Sequence, residues 1–91
     1  MSKGKVNLAG EIETEQQVMK LSDLQIGARA TVMAINDVNT TTRRLMEMGV
    51  VPGVSVKMIK AGPFGDPIEI RLIGYNLAIR RNEAEAVQVE I

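Results

Sequence analysis

The chain has 91 residues, of which 45% are hydrophobic and 24% are charged. This length allows one domain, and the composition is typical of a globular protein rather than a disordered one. Eleven lysine and arginine residues balance eleven aspartate and glutamate residues, and only one tyrosine and one phenylalanine are present. Nucleic-acid domains usually combine a basic excess with stacking aromatic residues. We therefore expect no nucleic-acid partner.

The chain contains no cysteine and no histidine. It therefore lacks thiolate nucleophiles, the commonest general base near neutral pH and the commonest nitrogen ligand for transition metals. The sequence also shows no nucleophile elbow, phosphate-binding loop or metalloprotease helix. We expect a protein that is not an enzyme and that has no catalytic residues, no cofactor and no dedicated metal site, with weak divalent-metal binding at most.

No apolar run approaches the roughly 20 residues that a membrane helix needs, and the polar first residues lead into no signal-peptide core. We expect a cytoplasmic protein without direct membrane insertion. Residues 1–20 show no sustained hydrophobic period, which predicts a flexible leader before a domain of residues 21–91. A short helix over residues 13–20 is the alternative, although an isolated helix of that length is marginal in water.

Short β-like runs separated by glycine and proline begin at Leu21. The predicted strands are 28–35, 54–58, 68–72, 75–80 and 87–91. Gly74 separates two of these runs and predicts a tight hairpin between them. A closed small barrel of about five antiparallel strands is the simplest arrangement, because closure removes unpaired strand edges.

One helix is predicted among these strands, over residues 40–48. Asn39 or Thr40 can serve as its N-cap, and Gly49 can take the left-handed conformation that ends many helices. At 100° per residue, one face of this helix should be buried. The residues of that face are Thr41, Leu45 and Met48. The residues of the opposite, solvated face are Arg43, Arg44 and Glu47, with Met46 at the margin between the two faces.

Two acidic pairs are candidate carboxylate dyads, namely Glu83 with Glu85 and Glu69 with Asp66. Acid–base chemistry needs a buried carboxyl group in a cleft. Since nothing in the pattern indicates such a cleft, we interpret these acids as a solvated strand face and a solvated loop.

A series of short motifs spans about 70 residues of the predicted domain. The motifs are Leu21-Ser22-Asp23-Leu24, Gly27, Arg43-Arg44-Leu45, Met48-Gly49, Pro52-Gly53, Pro63-Phe64-Gly65-Asp66-Pro67, Gly74-Tyr75, Leu77-Ala78-Ile79-Arg80 and Glu83-Ala84. Their order and spacing closely resemble the FeoA family, the small ferrous-iron transport protein A. The resemblance implies an SH3-like barrel with one short helix. Residues 1–20 lie outside it, and Gly62 is a small departure in one loop.

The resemblance also implies a cytoplasmic adaptor or regulator that contacts a membrane ferrous-iron transporter with a GTP-binding domain. Phe64 is an aromatic residue in a proline-glycine loop, where its ring can either fold back onto the barrel or project as an anchor. The residues that we expect to bind the partner are Arg43, Arg44, Met46, Phe64 and Asp66.

Two other functions are compatible with a small barrel. In the first, a metal-responsive regulator, aspartate and glutamate would bind a divalent transition metal directly; oxygen ligands alone suit hard ions better than ferrous iron. The second is a nucleic-acid module. A net charge of zero and only two aromatic residues count against it. We therefore place the transporter adaptor first and the metal-responsive regulator second.

Overall fold

The computed structural model describes residues 4–6, 12–14 and 18–91. Its strands are β1 (Gly4–Val6), β2 (Ile12–Thr14), β3 (Val18–Lys20), β4 (Arg29–Ile35), β5 (Ser55–Ala61), β6 (Ile68–Leu72), β7 (Tyr75–Ile79) and β8 (Val87–Glu90). Its helices are α1 (Thr40–Glu47) and α2 (Arg81–Ala84), with single 3₁₀ turns at Leu21–Asp23 and Pro63–Gly65. The prediction of a mainly β fold with one short helix is confirmed by α1, and α2 adds a single further turn.

Six antiparallel strands form one sheet in the order β3-β8-β4-β5-β6-β7, and β1 and β2 pair separately. The sheet bends at two register shifts, between Val32 and Ala34 in β4 and between Met58 and Lys60 in β5. Irregularities of this kind increase local twist and let a sheet curl around a core. Within the described residues β3 and β7 remain unpaired edges, so the expected full closure is wrong.

Alternation along the strands places one face of the sheet in the core, as the sequence pattern predicts. The fully buried side chains of this core include Leu21, Val32, Leu45, Val50, Val56, Ile68, Ile70, Val87 and Val89. The predicted hairpin around Gly74 is also present, because Leu72 and Tyr75 pair directly on either side of a two-residue turn. Neither helix of the described residues has the length and apolar content needed to cross a membrane.

The ordered sheet begins before the predicted boundary at Leu21. Residues Val18–Lys20 pair with β8, Met19 lying opposite Val89, so they contribute a sixth strand rather than belonging to a free leader. The alternative helix over residues 13–20 is wrong in the part that the structure describes, since β2 ends at Thr14 and β3 begins at Val18. The predicted flexibility of the rest of the leader falls largely outside the described residues and stays a prediction.

Helix α1 begins with a reciprocal cap. The Asn39 Oδ1 atom accepts a hydrogen bond from the Thr42 amide (3.0 Å), and the Asn39 amide donates to Thr42 Oγ1 (2.8 Å). This capping box satisfies two amide donors that the first turn would otherwise leave unpaired. It also turns Thr42 inward, so that Thr42 and Leu45 are buried and Thr41 is exposed. The predicted inward position of Thr41 is therefore wrong by one residue.

The other end of α1 explains a second error. The helix ends at Glu47, and Gly49 then adopts a φ of +104°, which supports the predicted left-handed ending. Met48 lies at this break, where extrapolation at 100° per residue no longer applies. Its side chain is 42% exposed and is not a core residue as predicted.

Candidate partner-binding site

The loop of residues 62–67 joins β5 to β6 and carries the predicted aromatic anchor. Two backbone hydrogen bonds close this loop. The Gly62 amide donates to the Pro67 carbonyl and joins the loop ends (2.7 Å), and the Gly65 amide donates to the Gly62 carbonyl within the loop (2.9 Å). A side chain at Gly62 would meet the Asp66 carbonyl at 2.8 Å, which only glycine avoids. The residue that departs from the family pattern is therefore required by the close packing of this loop.

Helix α2 holds the same loop from outside. The Asp66 Oδ1 atom accepts a hydrogen bond from the Arg81 amide at the start of α2 (2.9 Å), and Arg81 Nη1 donates to the Gly65 carbonyl (3.2 Å). A carboxylate is favourable at this position because the first amides of a helix lack partners within the helix. The structure thus gives Asp66, predicted as a partner-binding residue, a role in fixing the loop.

Phe64 occupies the tip of the loop held in this way. Its backbone lies in the left-handed region (φ 59°, ψ 23°), and its side chain is fully exposed to solvent. Of the two positions considered for this ring, the structure shows the projecting one. The ring does not contribute to the core of the domain.

The predicted helix residues have different environments. Arg43 and Arg44 are exposed and Met46 is half-buried. Arg44 Nη2 donates to Glu83 Oε2 at 3.0 Å, so this guanidinium is already engaged within the molecule. Arg43 is the predicted helix cation that points to solvent and makes no ion pair within the described residues.

Glu83 is a buried neighbour of Arg44 that the sequence analysis did not place at this site. It is 4% exposed, and its Oε1 atom accepts a hydrogen bond from the Arg80 amide (2.8 Å) while Oε2 accepts from Arg44. The interpretation of Glu83 as part of a solvated strand face is wrong, because residues Arg81–Ala84 form α2 and Glu83 occupies its third position. Glu83 supplies the carboxylate half of a capping box, but Arg80 has no acceptor side chain for the other half, so the usual sequence signature of a helix start is absent here.

Helix α2 therefore joins the two groups of predicted site residues without bringing them into one cluster. Arg81 contacts the Phe64 loop and Glu83 contacts α1. Within the described residues, no three aspartate or glutamate side chains gather where they could hold a metal ion. What the site offers chemically is a projecting aromatic ring and the exposed Arg43 guanidinium of α1, both of which suit contact with another protein.

The family model of the FeoA domain matches residues 19–91. This chain belongs to the FeoA family. The Fe(2+) transport protein A/Fe(2+) transporter FeoB fusion protein of Porphyromonas gingivalis is 32% identical to it over 73 residues, which cover 80% of this chain and 9% of that protein. The present FeoA chain thus spans only a small part of the length of this curated relative.

Solved structures of FeoA proteins share the fold described above. The FeoA protein of Chlorobium tepidum is 45% identical, with a TM-score of 0.74 over 80% of this chain and 70% of the other. Stenotrophomonas maltophilia FeoA, described as a prokaryotic SH3 domain protein in complex with zinc, is 35% identical, with a TM-score of 0.70 over 78% of this chain and 88% of the other. The predicted SH3-like fold and FeoA membership are confirmed, and the family is a small domain associated with ferrous-iron transport.

Proposed function

We propose that this FeoA domain is a non-catalytic, cytoplasmic adaptor that supports ferrous-iron uptake by contacting the GTP-binding cytoplasmic part of a membrane iron transporter. The fusion of both proteins in one chain of P. gingivalis supports this partnership, because a fusion keeps its two parts at a high effective concentration. The proposed contact is centred on Phe64, with the exposed face of α1 beside α2 as a second contribution.

Phe64 is the observation that carries this proposal. A left-handed backbone costs a residue other than glycine about 1–2 kcal/mol, and the exposed ring recovers nothing by burial in the core. The loop is nevertheless held by hydrogen bonds on both sides of this residue. An aromatic side chain on a preorganised support is the kind of anchor that dominates the energy of protein interfaces.

We expect Phe64→Asn to separate folding from binding. Asparagine tolerates the left-handed conformation better than phenylalanine, so the melting temperature should stay equal or rise. Affinity for the purified cytoplasmic domain of the transporter should fall at least about tenfold, because one interface anchor is lost. Isothermal titration calorimetry of the two purified proteins measures this affinity, and ferrous-iron uptake in cells should fall with it.

Ile26→Asn is the matched control, since Ile26 is another strongly exposed apolar residue outside the 62–67 loop. It should leave the affinity unchanged. Normal binding by a folded Phe64→Asn protein would refute the loop as the anchor, and Arg43→Glu would then test the helix face without disturbing the ion pair of Arg44.

The metal-responsive regulator is the second candidate, and the zinc complex of the S. maltophilia relative is the observation that favours it. The chain offers neither thiolate nor imidazole donors, so we expect ferrous iron added under anaerobic conditions to leave the melting temperature nearly unchanged. A specific site would instead stabilise the fold by about 2.7 kcal/mol at a metal concentration one hundred times its Kd. A stoichiometric, submicromolar site in calorimetry would promote the regulator above the adaptor.

A further inference from the structure

Three cations lie side by side on the solvent-facing side of the sheet, and none of them belongs to α1 or to the 62–67 loop. Arg29 of β4 is directly opposite Lys57 of β5, and Lys57 is directly opposite Arg71 of β6. Directly opposite residues project from the same face with Cβ atoms about 4.5–5.5 Å apart. We call this row the cationic stripe, and it extends about 10 Å across three strands.

The cationic stripe lines a concave surface. All three cations border a shallow depression of about 260 Å³, together with Ser55 of β5 and the turn residues Ile73 and Gly74. Arg29 and Arg71 are exposed, whereas Lys57 between them is half-buried. The depression therefore presents cationic groups, a hydroxyl group and, at one end, the 83% exposed side chain of Ile73.

No ion pair between described residues includes a cation of the stripe, although Glu90 lies on the same face, directly opposite Thr31 and two residues from Arg29. The ion pairs of the described residues join Arg44 to Glu83 and Lys60 to Glu69. Glu69 shares a strand face with Arg71, but its carboxylate is held by Lys60 (3.8 Å) and by the Asn76 amide group (2.8 Å). Positive charge is thus concentrated here on a chain whose formal net charge is zero.

Folding does not account for such a row, because like charges directly opposite each other destabilise a sheet. We propose that the cationic stripe is a docking site for an acidic segment of a partner protein, bound in an extended conformation with two or more carboxylates on the stripe. This site goes beyond the transporter contact proposed for Phe64 and does not rest on it.

The lining of the depression favours carboxylates over a nucleotide. Arginine forks bind carboxylates in a bidentate manner, and the row of three cations suits successive acidic side chains. No aromatic residue of the described chain lines the depression, so nothing there would stack on a nucleobase. Ile73 adds an apolar contact of the kind that a leucine or valine beside the acids can cover.

The test uses the isolated domain and a short fluorescein-labelled peptide of alternating glutamate and serine with one leucine. Fluorescence anisotropy should show binding that weakens as salt is added, because exposed charges are screened. Lys57→Gln should lower the affinity at least about tenfold. Lys20→Gln on β3 is the matched control, since it removes the same charge three strands away and should change the affinity by less than about twofold.

The stability of Lys57→Gln gives an independent readout. Removing the central cation relieves two opposed like-charge contacts, so its melting temperature should rise by about 1–5 °C. Arg71→Gln should show the same loss of affinity, and it replaces Lys57→Gln in the binding test if Lys57→Gln does not fold. Equal losses for Lys20→Gln and Lys57→Gln would overturn the proposal by showing attraction to charge alone. Tighter binding of GTP or inorganic tripolyphosphate than of the peptide would also overturn it.

Discussion

Leu45→Ala should lower the free energy of unfolding by about 2–4 kcal/mol, the cost of removing a buried leucine and leaving a cavity. Leu45 is 1% exposed and is the main apolar contribution of α1 to the core. Its carbonyl also accepts hydrogen bonds from the amides of Met48 and Val50, both 3.0–3.1 Å long, so the ending of the helix depends on its position. Urea denaturation followed by circular dichroism measures the loss.

Met48→Ala is the control for this result. Met48 was expected to share the buried face, but it lies at the helix end and is partly exposed, so its truncation should cost less than about 1 kcal/mol. Equal losses for the two variants would contradict the burial described for α1.

Glu83→Ala should destabilise the domain by about 2–3 kcal/mol. It removes two charge-assisted hydrogen bonds, one that caps α2 through the Arg80 amide and one that holds Arg44. Arg44→Ala should cost only about 1 kcal/mol, because the Arg44 side chain is 62% exposed and water can replace it beside the carboxylate. A double-mutant cycle in urea denaturation separates the two contributions.

A larger loss for Arg44→Ala than for Glu83→Ala would contradict this expectation, because Glu83→Ala removes the ion pair together with the cap; it would show that leaving the Glu83 carboxylate buried and unpaired is the dominant cost. The same geometry affects how α1 is tested for partner binding. Arg44→Glu would place a second carboxylate beside buried Glu83, so a combined Arg44→Glu and Met46→Asp change would alter folding as well as any contact. Arg43→Glu avoids this problem.

Much of the fold is predictable because local signals agree with it. Alternating apolar residues in β5 and β6 mark their buried faces, and a cap followed by Gly49 marks α1. The buried face of α1 was misplaced because the Thr42 hydroxyl bonds back to Asn39 and replaces Thr41 as the inward residue. Helical periodicity does not contain that information.

The features that the sequence did not predict depend on contacts between residues far apart in the chain. Strand β3 is only three residues long, and its partner β8 lies about seventy positions later in the chain. Helix α2 is a single turn, too short to show a hydrophobic period. The burial of Glu83 depends on Arg44, thirty-nine positions earlier. The exposure of Phe64 likewise depends on Arg81, which holds the loop from another element.

Helix α2 has a practical consequence for mapping the partner surface. Its first residue restrains the 62–67 loop, and its third residue restrains α1. Substitutions of residues in one hydrogen-bond network have non-additive effects on stability. A substitution in α1 should therefore also alter the 62–67 loop, because α2 contacts both. A partner that touches only Phe64 should therefore produce a mutational footprint that includes Arg44 and Glu83. Cross-linking and chemical protection report proximity rather than energy. They should therefore identify fewer residues as part of the partner surface than alanine scanning does.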